Sequence, residues 1–162
     1  MGLMQSKTKV NEAVSVISST YKSKTIEGVV LFTQKEDCVH IKVDIKGLTK
    51  NHLHGFHIHE SGDLREGCKS CCAHYNPENT EHGDLAGGHA GDLGNIKTDD
   101  QGNCKMSLKT DKFNVDDILG RSIIIHEDKD DLGLGEFEDS KTTGHSGSRI
   151  ACSLIGISKD CK

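Results

Sequence analysis

Tryptophan is absent from the 162 residues, proline occurs once, and four phenylalanines with two tyrosines complete the aromatic content. No segment approaches the roughly 20 consecutive apolar residues that a membrane-spanning helix needs, so no membrane association is expected. The opening residues "MGLMQSKTKVNEA" carry no apolar run of signal-peptide length, so the expectation is a cytoplasmic chain. Gly2 followed by Ser6 fits the loose pattern for N-myristoylation, against the plainer reading of a tail. Basic residues form no stripe and the net charge is -5, which argues against nucleic-acid binding. An even cysteine count is missing too: with seven, at least one thiol stands outside any internal disulfide.

What is present is one domain's worth of chain, a third of it apolar, with 18 glycines available for turns. Residues 38–46, "CVHIKVDIK", alternate strictly: Val39, Ile41, Val43 and Ile45 take one face, and His40, Lys42, Asp44 and Lys46 the other. That is the pattern of a half-buried antiparallel strand. Weaker runs at 13–18, 26–33, 53–58, 93–97, 104–109, 121–126 and 150–157 bring the expected number of strands to eight. Gly, Asn and Asp clusters separate them, and no amphipathic helix is evident. The fold class is therefore all-β, an antiparallel sandwich or barrel. The connections 60–92 and 127–148 are far longer than ordinary turns, which marks them as functional loops. The expected organisation is a flexible tail over 1–12, one domain over 13–158 and a short tail over 159–162.

His57 and His59 sit two apart in "GFHIHE", so on a strand their imidazoles leave the same face about 7 Å apart at the backbone. Alone, the pair fits a solvated or hydrogen-bonded arrangement as well as a metal site. The following loop holds His74, His82, His89 and Asp92 in a glycine-rich stretch with little apolar material to fix it. Three imidazoles and one carboxylate suit tetrahedral zinc, whose binding would order such a loop. His126 ends the apolar run "RSIIIH" at the edge of the core. Six histidines and one aspartate make one ligand too few for two separate four-coordinate ions. A shared histidine resolves that count, and a spare histidine bonded to a ligand would also fit it.

In their order along the chain, "GFHIHESGD", "GC…AHYNP", "HAGDLGN", "HEDKDDLG" and "GHSGSRIACSLIGI" resemble the motifs of the copper/zinc superoxide dismutase family, a likeness running from about residue 13 to 157. The resemblance implies an eight-stranded Greek-key barrel with a zinc/disulfide loop and an electrostatic loop. It implies one copper per chain on His57, His59, His74 and His126, and one zinc on His74, His82, His89 and Asp92, with His74 as the bridge. The implied activity is conversion of superoxide to dioxygen and hydrogen peroxide by copper redox cycling. His74 and Arg149 are the implied catalytic residues, Arg149 attracting and orienting the anion. Asp130 would accept hydrogen bonds from ligand histidines on both metals. A Cys68–Cys152 disulfide is implied, closing some 84 residues, and is expected to be buried. A homodimer and delivery by a copper chaperone belong to the same set of expectations. The alternative carried on the same fold is a copper-binding, chaperone-like or inactive decoy protein.

The chain also departs from the family pattern. The stretch between His82 and His89 is about two residues short, a tighter closure that Gly87 and Gly88 permit. Asp128 and Thr142 stand where many members carry substrate-steering lysines, with Lys129 and Lys141 next door. Ser61 replaces a bulky apolar residue near the usual dimer contact, while Gly62, Leu119, Gly120 and Ile157 keep that patch small and apolar. Cys71 and Cys72 occupy positions of small residues, where either thiol could capture copper or exchange with the disulfide. Cys38, Cys104 and Cys161 have no assigned chemistry.

Overall fold

In the computed structural model, residues 9–158 are described. The terminal segments 1–8 and 159–162, with Gly2, Ser6 and Cys161, lie outside them. Eight strands follow in chain order: β1 (Glu12–Tyr21), β2 (Lys24–Gln34), β3 (Val39–Lys46), β4 (Leu53–His59), β5 (Asp92–Lys97), β6 (Cys104–Thr110), β7 (Ser122–His126) and β8 (Arg149–Ile157). Their lateral order is β5-β4-β7-β8-β1-β2-β3-β6, antiparallel throughout, a nearly closed barrel. The passages from β3 to β4, from β5 to β6 and from β6 to β7 carry the chain from one half of the barrel to the other.

Period-two alternation does most of the work. Val39, Ile41, Val43 and Ile45 of β3 are buried while Lys42, Asp44 and Lys46 are exposed. The core is accordingly aliphatic, with Phe32, Phe56, Phe113 and a dense set of isoleucines including Ile41, Ile45, Ile58, Ile96 and Ile123. β1 and β2 run longer than their apolar runs suggest, because the hairpin between them closes on only Lys22 and Ser23. Both residues take positive φ, 46° and 65°. That is the twist-matched hairpin turn that usually asks for Asn-Gly, which explains why composition gave no sign of it. Val10 and Asn11, within the expected tail, are tied down: Val10 N–H donates to Asp116, and Asn11 C=O accepts from Gln34.

Two single-turn helices lie between strands, α1 (Val115–Ile118) between β6 and β7 and α2 (Ser140–Thr143) in the long connection before β8. A turn of 3-10 helix, Gly67–Cys71, carries Cys68 against β8. The Cys68–Cys152 disulfide is formed, with Cα atoms 5.6 Å apart. It is half-buried and not enclosed as expected, because Cys152 falls between buried Ala151 and Ser153 on the outward-facing phase of β8. A surface groove lined by Ser19, Glu66, Lys69 and Ser148 runs beside it.

Candidate metal centre

β4 delivers the first two candidate ligands. Phe56 and Ile58 point into the core, so His57 and His59 must project from the opposite face, where the two long loops cover them completely. β7 ends on His126, registered beside Arg149 of β8 across an irregularity. The loop after β4 doubles back so that His74 pairs with His59 as an isolated antiparallel bridge. Tyr75 N–H then donates to Ile58 O and Gly91 N–H to Tyr75 O, which locks the loop onto the strand. His82 and His89 follow in that loop, and Asp92 opens β5.

The seven side chains meet in one buried cluster. His74 is at its middle, with ring centres 4.1 Å from His57, 4.8 Å from His59, 5.2 Å from His82 and 5.3 Å from His89. Ligand atoms of His57, His59, His74 and His126 lie within 4.8 Å of one another, and so do those of His57, His74, His82 and Asp92. His89 is not in that second group, yet its Nδ1 stands 3.2 Å from Asp92 Oδ1 and 3.3 Å from His74 Nδ1. His57 cannot serve both groups, since its Nε2 is held by Asp130 at 2.6 Å. His89 is therefore the better fourth member beside His74, His82 and Asp92.

Hydrogen bonding fixes which ring nitrogen faces the centre. A carbonyl oxygen can only accept, so His59 Nδ1–H donates to Cys72 O at 2.9 Å and His126 Nδ1–H to Gly147 O at 3.2 Å. His57 and His82 donate their Nε2–H groups to the two oxygens of Asp130. The opposite atoms, Nδ1 of His57 and Nε2 of His59, His74 and His126, are buried with no partner at all. Leaving one such group unsatisfied costs about 1–3 kcal/mol, so four together facing one point call for a cation. His82 Nδ1 is buried 2.9 Å from Asp92 Oδ2, both atoms turned toward the same point.

The electrostatics agree. Burial, reinforced by neighbouring imidazoles, pushes the His57 and His59 pKa values far down. Burial lowers His126 to about 4 against the pull of the Gly147 carbonyl. These rings stay neutral, with lone pairs available, into acid. At the other end, burial disfavours charge on His82, but hydrogen bonds to Asp130 and Asp92 overcome it and lift the pKa to about 9. Burial likewise opposes ionisation of Asp92, and bonds from His74, His82 and His89 outweigh it, holding the carboxyl well below its usual range.

Several supports have no signature in sequence. Asn95 pairs with both backbone groups of Asp130, donating to its C=O at 2.9 Å and accepting from its N–H at 2.7 Å. Gly144 has φ +70°, and a Cβ there would sit 2.0 Å from Asp130 Oδ1. At Gly88, in the shortened loop, a Cβ would fall 2.4 Å from Asp92 Oδ2. Buried His54 donates to the carbonyl of His126 at 2.7 Å, fixing the end of β7. Arg149 donates Nη1–H to Cys68 O at 2.8 Å and Nη2–H to Cys72 O at 2.7 Å, and its charge disfavours protonation of His59 and His126. Lys141 does not stand free beside Thr142: it pairs with Glu81 at 3.3 Å. Asp128 accepts no lysine partner among the described residues.

The model of the family described as copper/zinc superoxide dismutase (SODC) matches residues 26–155. The chain is 44% identical over 158 residues to a superoxide dismutase (Cu-Zn) of Paramecium bursaria Chlorella virus 1, covering 94% of this chain and 82% of that protein. It is 46% identical over 140 residues to an extracellular superoxide dismutase (Cu-Zn) of Drosophila melanogaster, covering 82% of this chain and 76% of the relative. The crystal structure of the clock protein EA4 superposes with a TM-score of 0.88 at 36% identity, over 96% of this chain and 100% of the other.

Proposed function

The chain belongs to the copper/zinc superoxide dismutase family, and on that premise we propose that one copper is held by His57, His59, His74 and His126, and one zinc by His74, His82, His89 and Asp92. Its reaction is that of the family: two superoxide anions and two protons give one dioxygen and one hydrogen peroxide. The observation that carries the ligand assignment is the set of four buried, unpartnered ring nitrogens converging from three separate segments. Imidazole suits copper, and the mixed nitrogen and oxygen set suits zinc.

When bound, copper supplies one-electron transfer in both directions, and zinc supplies a fixed charge without redox chemistry. The chain's own residues do the rest. Arg149 offers the anion a cation whose orientation is set by two backbone carbonyls, leaving other N–H groups of the fork free to bind it. His74 commits Nδ1 to the Asp92 side, so Nε2 is the atom of that ring able to hold a proton and pass it to the departing peroxide. Asp130 orients one ring from each group through its two oxygens.

The patch of Gly62, Gly120, Leu154 and Ile157 supports a homodimer. Gly62 lies so close to Gly120 O and Leu154 that any larger residue would separate them, and Leu154 and Ile157 are exposed. Sedimentation of Ile157→Lys as a monomer beside a dimeric wild type tests this. The unpaired thiols Cys38, Cys71, Cys72 and Cys104 suit a reducing cytoplasm, where copper would arrive through a protein donor. Cell fractionation decides the location.

Metal analysis and pulse-radiolysis rates on the loaded protein, beside His126→Ala, test the central reading. Two bound metals with rapid dismutation, and loss of copper and rate in the variant, are expected. Two metals with negligible turnover in the wild type would refute it.

A further inference from the structure

The segment 84–89 of the zinc loop is held at few points. Leu85 packs against the core, Asp84 Oδ1 accepts from Ala86 and Gly87, and Asp84 O from Gly88, while His89 is tied to its neighbour Asp92 by its N–H to Oδ2 at 2.8 Å and by Asp92 N–H to its C=O at 3.0 Å. Among the described residues, two hydrogen bonds reach the segment's backbone from outside 82–92, and both come from Lys112. Its Nζ donates to Asp84 O at 3.1 Å and to His89 O at 2.9 Å. These carbonyls mark the two ends of the segment, so one ammonium spans it.

Lys112 itself stands on firm ground. It precedes Phe113 and Val115, both buried in the core at the start of α1, and its N–H donates to Thr110 Oγ1 at the end of β6. The half-buried ammonium also faces the carboxylates of Asp84, Asp92 and Asp111. The cation and the rigid base together tie Asp84 and His89, and through His89 the carboxylate of Asp92, to the β6–β7 connection.

We propose that Lys112 is a positioning residue for the zinc site: it holds segment 84–89 closed, keeps His89 in place as a ligand, and thereby sets how slowly zinc leaves. This rests on the assignment of zinc to His74, His82, His89 and Asp92. It also accounts for how a loop shorter than in common family members is kept closed: a side chain from the β6–β7 connection does what the loop's own sequence does not.

The test is zinc release from the fully loaded protein into excess chromophoric chelator. Loss of a group that orients a metal ligand typically weakens binding about 10- to 100-fold, and Lys112→Met is expected to release zinc faster by a factor in that range. Lys112→Arg, which keeps cation and donors, restores most of the retention. Copper release is unaffected by either change. With cobalt(II) in place of zinc, Lys112→Met alters the visible bands and Lys112→Arg does not, a readout that a general loss of stability would not produce. Circular dichroism of the metal-free variants checks folding, and Lys112→Gln replaces the Met variant if that fails to fold, with release expected between Met and wild type. If His82→Ala leaves zinc binding intact, the ligand assignment is wrong and the inference falls with it. If His82→Ala abolishes zinc while Lys112→Met releases it at the wild-type rate, the inference alone is overturned.

Discussion

Replacing Cys72 by glycine should stabilise the protein. Cys72 has φ 62° and ψ -152°, a region that residues with a Cβ essentially never occupy and that costs about 1–3 kcal/mol. Two hydrogen bonds to its carbonyl, from His59 and Arg149, hold the peptide there regardless of the side chain. The side chain contributes little in return: it is exposed, and its Sγ lies 3.8 Å from Ser70 O. Glycine removes the strain, and loosening the unfolded chain takes back about 0.4–1 kcal/mol. The net gain is about 1–2 kcal/mol, or about 2–8 °C in melting temperature for a domain of this size. Calorimetry of the metal-free, disulfide-intact protein is the assay, because bound metal would mask the difference. Cys72→Ala keeps the Cβ and should show no gain, which separates relief of strain from loss of a thiol. An unchanged or lower melting temperature in Cys72→Gly, or an equal rise in Cys72→Ala, would refute the reasoning.

Further outcomes follow from the charges. Because Glu81 occupies Lys141, the wild-type rate should fall only shallowly with added salt, and Glu81→Gln should raise the rate at low ionic strength and steepen that fall, as read by stopped-flow at several salt concentrations; identical slopes would count against it. In the metal-free protein, His126 has a folded pKa of about 4 against 6.5 unfolded, so the unfolded chain binds the proton first and about 3 kcal/mol of stability is lost as pH falls from 6.5 to 4. His82 runs the other way: with a folded pKa of about 9, its contribution is complete below 6.5 and disappears as pH rises toward 9. Melting temperature against pH should therefore peak near neutrality, and a flat profile from 4 to 6.5 would contradict this. Asp130→Asn should weaken both metals by about 10- to 100-fold in competition titrations, and a loss confined to one would break the claim that its two oxygens serve both groups.

The strands were legible because alternation is a property of neighbours: β3 could be read residue by residue from "CVHIKVDIK". The side chains of the buried cluster were legible as residue types, since histidines recurring in a glycine-rich loop point to a metal. What escaped was whatever depends on backbone direction. The Lys22-Ser23 turn, the carbonyls of Cys72, Gly147 and Cys68, and the outward phase of Cys152 carry no letter of their own. Long-range partners escaped for a different reason. Lys112 and Glu81 are ordinary surface letters until the fold sets them against His89 and Lys141.

Arg149 is tethered on both sides, by the carbonyls of Cys68 and Cys72 and, three residues along, by the disulfide from Cys152 back to Cys68. A free arginine side chain surrenders about 2 kcal/mol of rotamer freedom when it is fixed. Here that loss is settled when the chain folds, so in the proposed role of Arg149 a small anion with few atoms of its own to offer meets a guanidinium that no longer has to be immobilised at each encounter.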